Sequence, residues 1–234
     1  VITDTRRQFK MSILDYRIGP VLALLDSDIT ATLPPHIAAA TGMDALTHAI
    51  EAYTGKPANP ISDGLALHAI RLIAQHLKPA VQEPDNREAR EQMLIASLIA
   101  GMAFGNADIA SVHCISEAIG GMYDTPHGVG NAIFLPFVFA HNRDADLRRH
   151  ADVAYALGID PTLAPAAAAE AAVEHLFAMS RELKIPRFKE VAGVREEDFL
   201  AIAEKSKSNI SDSSNAKPMT VDSYLAIIRQ AYQY

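Results

Sequence analysis

The chain has 234 residues, 49% of them hydrophobic and 21% charged, which is enough apolar material for a substantial core and excludes a disordered polypeptide. Twenty-eight acidic against twenty-one basic residues leave a formal charge of −7, so phosphate backbones and anionic lipid are repelled and nucleic acid is not an expected partner. The single cysteine, Cys114, cannot close an intramolecular disulfide, and with no secretory apolar segment in the sequence this usage points to the reducing cytoplasm.

Taken in chain order, the opening reads as β structure. Short apolar runs at 11–14 and 21–25 are separated by Asp15, Gly19 and Pro20, the pattern of two short strands and a turn. From about residue 35 the signals are helical. Pro34 and Pro35 start a segment running through Asp44 and His48 towards Gly55, with Pro57 and Pro60 marking the following loop. In the next helix Leu65, Ala66, Ala69, Ile70, Ile73 and Leu77 form one stripe opposite His68, Arg71, Gln75 and Lys78, as packing on a core requires. Pro79 and Pro84 are expected to break that helix, and Asp85 or Asn86 to cap another that turns apolar on all sides over 93–104 and so belongs in the middle of a helical domain. Further helices are expected near 109–121, 127–141, 145–157, 165–183, 196–207 and 221–233, the last capped by Thr220.

Of two uncharged stretches, 92–107 is short and carries Gly101 and Gly105, while 125–142 carries Pro126, His127, Gly128, Gly130, Pro136 and His141, a heavy load for lipid, so both read as core helices and no membrane partner is expected. The whole reads as a mainly α protein, a short β edge followed by a helical bundle.

Asp44 and His48 stand four apart in Gly42-Met43-Asp44-Ala45-Leu46-Thr47-His48-Ala49-Ile50-Glu51, so on a helix both side chains leave one face. Alone, such a pair is more commonly a salt bridge or a polar core contact. His113 and His127 lie in other apolar segments. Each alone reads as a hydrogen-bonded core histidine, but together with the pair they offer one carboxylate and three imidazoles, a donor set suited to Fe²⁺ or Zn²⁺ and poorly suited to Ca²⁺ or Mg²⁺.

The run Thr41 to Tyr53, the segment around Val112-His113, and Pro126-His127-Gly128 followed by Asn131-Ala132 and Leu135-Pro136 resemble the iron-containing (group III) alcohol dehydrogenases. The fourteen-residue step from His113 to His127 fits, as does Asn215-Ala216-Lys217-Pro218-Met219-Thr220 ahead of the last helix. The resemblance implies the helical C-terminal domain of the dehydroquinate synthase-like architecture, with Asp44, His48, His113 and His127 as ligands of Fe²⁺, or alternatively Zn²⁺. It implies hydride transfer between a small alcohol or aldehyde substrate and NAD or NADP, with Lys10 and His127 facing the dinucleotide. A homo-oligomer is compatible with it.

Relatives begin with a nucleotide-binding α/β domain, yet neither G-x-G-x-x-G nor Gly-Gly-Gly-Ser occurs here. The expectation is therefore a C-terminal part, inactive alone, with 1–30 left from the missing α/β domain and 31–234 forming the helical metal- and substrate-binding domain. Glu117 stands where many relatives carry histidine, four residues beyond His113; a carboxylate there suits a polar substrate or proton transfer. Two other readings use the same residues: a helical-bundle metallohydrolase with Glu117 as general base, or a metal-free helical interaction domain.

Overall fold

The computed structural model describes residues 2–13 and 15–234, and for Phe9, Met11 and Tyr16 the backbone alone. It opens with a hairpin in which β1 (Ile2–Asp4) pairs antiparallel with β2 (Phe9–Met11), Thr3 opposite Lys10. Nine α-helices follow among the described residues: α1 (Pro35–Thr54), α2 (Pro60–Gln82), α3 (Arg87–Gly105), α4 (Ser111–Tyr123), α5 (His127–Asn142), α6 (Leu147–Ala156), α7 (Pro165–Glu182), α8 (Phe199–Lys207) and α9 (Val221–Gln233). The mainly α bundle with a short β edge is thus what the chain forms.

Local chemistry explains most starts. Pro35, Pro60 and Pro165 take first-turn positions where a missing N–H costs nothing. Asn59, Asn86, Asp146 and Thr220 accept hydrogen bonds from the opening turns of α2, α3, α6 and α9. Helices α4 and α5 have neither device: their cap residues, Ala110 and Pro126, have no side-chain acceptor to offer.

Three expectations need correction. The strand expected at 11–14 ends at Met11, with Leu14 outside the described residues, and no strand forms at 21–25. There Val21, Leu22 and Leu24 stand exposed; among the described residues no strand lies beside them to satisfy their backbone groups. Pro79 does not break α2, which continues to Gln82. It falls in the last turn, so one rung of hydrogen bonding is lost, and the Glu83 N–H closes the end on the Pro79 carbonyl at 2.9 Å. Helix α3 is not surrounded by protein: only Ala89, Ala96, Ala100 and Ala103 are buried, while Ile95 and Met102 are exposed. Its alanines pack fully buried in a helix that contacts α1 and α2, Met93, Ile99 and Phe104 pack partly buried against the core, and Ile95 and Met102 face outward.

The helix enclosed on nearly all sides is α4, buried from Ser111 to Gly120. It packs on α5, α8 and β2, while α1 packs on α2, α3 and α5, so α1, α4 and α5 meet at the centre. Aromatic edges close the far side, where Phe188 meets Phe134 with centroids 4.9 Å apart and Phe137 meets Phe177 at 4.9 Å.

His150 on α6 is buried, with its Nδ1 against the Asp146 carbonyl at 2.8 Å and its Nε2 without a partner among the described residues. Burial holds its pKa below the ordinary value. Because the folded pKa is the lower one, the unfolded chain takes up the proton first, and this contribution to stability, complete above about pH 6.5, is lost as pH falls. Urea unfolding of the wild type and a His150→Gln variant should therefore differ less at pH 5 than at pH 7.5; a gap that widens on acidification contradicts this.

Candidate metal centre

Helix α1 presents Asp44, His48 and Glu51 along one face, α4 contributes His113 from its first turn, and α5 begins at His127. One donor atom from each of Asp44, His48, His113 and His127 lies within 4.8 Å of the other three. Asp44 Oδ1 is 3.8 Å from His48 Nε2, 3.9 Å from His113 Nε2 and 3.8 Å from His127 Nε2, and the His48 and His113 Nε2 atoms are 3.3 Å apart. Donors about 2.1 Å from a shared tetrahedral centre stand about 3.4 Å from one another, so this spread fits a single cation.

The donor chemistry fits too. Burial pushes His48 down to about 3 and His113 to about 4, which keeps both rings neutral with lone pairs available at pH 7.

Close backbone approach makes the convergence achievable. A Cβ on Gly128 would lie 2.8 Å from the Ala40 carbonyl oxygen of α1, and one on Gly130 would lie 2.5 Å from Ser116 Oγ of α4. The two glycines thus let α5 reach both other donor-bearing helices. Ser116 Oγ donates to the His127 carbonyl at 3.0 Å, and Asn131 Nδ2, one turn along α5, donates to Asp44 Oδ1 and lies 3.2 Å from His127 Nε2. The Phe104 ring of α3 stacks on His48 at 4.3 Å and 23°.

Behind His113 lies Glu51, which is buried and whose Oε2 is 2.6 Å from His113 Nδ1. Burial pushes its carboxyl up to about 7, and hydrogen bonds from the Ala110 and Val112 N–H groups work against that rise.

The remaining sequence candidates lie farther along α4. Glu117, buried one turn beyond His113, accepts from Ser12 Oγ at 3.3 Å and from Asn209 Nδ2 at 2.7 Å. Lys10 lies across Gly120, its Nζ 2.7 Å from where a Cβ on that glycine would be. Neither belongs to the four-donor cluster. Cys114 is buried and free, and its burial raises the thiol pKa, as expected of a packing residue.

Sequence reasoning missed Glu51, Asn131, Ser116 and Phe104. A signal existed for Glu51, which is seven residues from Asp44 and three from His48 and so shares their helix face. An open cleft of about 490 Å³ is separate from the cluster. Thr41 and Ala45 of α1, Leu77 of α2 and Met93 of α3 line it, Ala45 standing one turn before His48.

Comparison with known proteins agrees with this picture. The profile of the Fe-containing alcohol dehydrogenase family, C-terminal, matches residues 38–232. The chain is 42% identical over 233 residues to 1,3-propanediol dehydrogenase of Klebsiella pneumoniae, covering 99% of this chain and 60% of that protein. It is 39% identical over 232 residues to the NAD-dependent methanol dehydrogenase of Bacillus methanolicus, covering 99% and 61%. A crystal structure of 1,3-propanediol oxidoreductase superposes with a TM-score of 0.86 at 43% identity, over 88% of this chain and 54% of that one. The chain therefore spans about 60% of the length of these curated relatives.

Proposed function

The chain belongs to the iron-containing alcohol dehydrogenase family, and on that premise we propose that it is the metal- and substrate-binding part of a nicotinamide-dependent dehydrogenase of small alcohols. Residues 31–234 form the helical domain on this reading, and 1–30 belong to a nucleotide-binding α/β domain. The exposed apolar side chains of Val21, Leu22 and Leu24 support that division, because such a run suits a sheet that has other strands to pair with. Relatives named for 1,3-propanediol and methanol support a short primary alcohol, or the matching aldehyde, as substrate. The setting we propose is cytoplasmic; among the described residues no helix is long and apolar enough to cross a membrane.

Asp44, His48, His113 and His127 would hold the metal, Fe²⁺ in the first instance and Zn²⁺ as the alternative. When bound, the metal supplies Lewis acidity towards an alcohol or carbonyl oxygen, and the dinucleotide, NAD or NADP, accepts or returns the hydride. One carboxylate and three neutral imidazoles leave a divalent site near +1, so the donor set itself preserves that acidity. Phe104 covers one face of the His48 ring. Lys10 and His127 are assigned to the dinucleotide side. Glu117, held by Ser12 and Asn209, orients a polar substrate group or relays a proton.

The observation carrying this reading is the meeting of four donor atoms from three helices within 4.8 Å. Its test is an anaerobic titration of the metal-free chain. One equivalent of Fe²⁺ or Zn²⁺ per chain should bind, and a large excess of Mg²⁺ or Ca²⁺ should not displace it. Absence of a one-to-one transition-metal site would refute the reading. The same chain with metal, NAD⁺ and a short primary alcohol should show no turnover unless the nucleotide-binding part is supplied.

A further inference from the structure

Glu51 is 4% exposed and makes three contacts at once. Its Oε2 faces His113 Nδ1 at 2.6 Å and accepts the Ala110 N–H at 2.7 Å, while its Oε1 accepts the Val112 N–H at 2.7 Å. The two backbone donors open α4, whose own cap residue has no side-chain acceptor. The carboxylate therefore does from α1 what a capping side chain does locally, at a helix end that favours negative charge.

The third contact has a chemical consequence. His113 is 1% exposed, so water does not choose its tautomer. When Glu51 is ionised, its carboxylate facing Nδ1 requires the proton there, and the other nitrogen is then bare. That nitrogen, Nε2, is the one lying 3.9 Å from Asp44 Oδ1 and 3.3 Å from His48 Nε2. The other two rings are held differently. His48 Nδ1 is buried without a partner among the described residues, and His127 Nδ1 lies 3.4 Å from the Ser116 hydroxyl.

We propose that Glu51 is a positioning residue that sets the tautomer and ring orientation of His113 so that a bare Nε2 faces the cation site, and that by capping α4 it locks two donor-bearing helices together. The inference rests on the metal-binding reading above and adds a residue outside the four donors.

A glutamine at this position cannot do the same work, since an amide has one acceptor atom where three donors converge. With its oxygen towards His113 and Ala110, the NH₂ group opposes the Val112 N–H. With the amide reversed, His113 must carry its proton on Nε2, which closes the donor to a cation.

Two measurements decide. The first is nitrogen-15 NMR of the histidine rings in the metal-free wild type at pH 7.5, where His113 should carry its proton on Nδ1; a proton on Nε2 overturns the proposal, whatever any variant does. The second is chelator competition for Zn²⁺ with wild type and Glu51→Gln, with urea unfolding of the metal-free forms alongside. Affinity should fall about 10- to 100-fold. A stability loss with affinity within twofold of wild type would show a cap and nothing more, overturning the positioning role. If Glu51→Gln does not fold, the wild-type tautomer still decides; if the wild type binds no Zn²⁺, the metal reading fails and the tautomer alone judges Glu51.

Discussion

Alanine at position 113 is expected to weaken cation binding by about a hundredfold to a thousandfold while leaving the helical bundle assembled. Structural four-donor sites gain about 10–16 kcal/mol from the metal, so each donor contributes on average about 2.5–4 kcal/mol. The variant removes one donor and also strips Glu51 of the imidazole it faces, but the carboxylate keeps the Ala110 and Val112 N–H groups, so α4 keeps its cap. Thermal unfolding separates the two effects. A cation at 100 times its dissociation constant should stabilise the wild type by about 2.7 kcal/mol and His113→Ala hardly at all. Equal metal-dependent stabilisation of both proteins would remove His113 from the donor set.

Valine at position 128 should do comparable damage without touching a donor. A Cβ there would stand 2.8 Å from the Ala40 oxygen, 3.0 Å from the Ala40 carbonyl carbon and 3.3 Å from the Thr41 nitrogen. All three are backbone atoms of the helix that carries Asp44 and His48, and they cannot rotate aside as a side chain would. Helix α5 must move away, taking the adjacent His127 with it. The expected cost is about 1–3 kcal/mol of stability and about a 10- to 100-fold loss of cation affinity, read by urea unfolding and chelator competition. Gly64→Ala is the control: a Cβ at that position on α2 meets nothing within 4 Å, so it should stabilise by about 0.5–1 kcal/mol and leave affinity unchanged. Unaltered metal binding in Gly128→Val would show that α5 does not rely on this contact.

Much of the architecture was legible because it is written locally. The stripe from Leu65 to Leu77, Asn86 and Thr220 as caps, and the periodicity of 221–233 each depend on residues within a turn or two, and each matches an observed helix. What misled was environment. The apolar residues of α3 suggested enclosure on every side, yet only its alanines are fully buried, and Ile95 and Met102 stand exposed. The run at 21–25 has strand composition, but a strand exists only where another chain segment can pair with it.

The site shows the same division. Asp44 and His48 announce themselves by spacing, and the resemblance supplied His113 and His127. Glu51 stood in the same motif without an apparent task, because its partners lie 59 to 62 positions away in sequence. The roles of Gly128 and Gly130 are likewise invisible until two backbones are seen side by side.

Exposure is graded across the four donors: 1% for the His113 side chain, 18% for His48, 21% for Asp44 and 35% for His127. Traffic between the site and bulk water is thereby given a direction. In this chain the open side of the site is the His127 rim, and the buried His113 is its floor. A scavenging chelator approaching from outside is therefore expected to compete first with His127, the most exposed of the four, and last with His113.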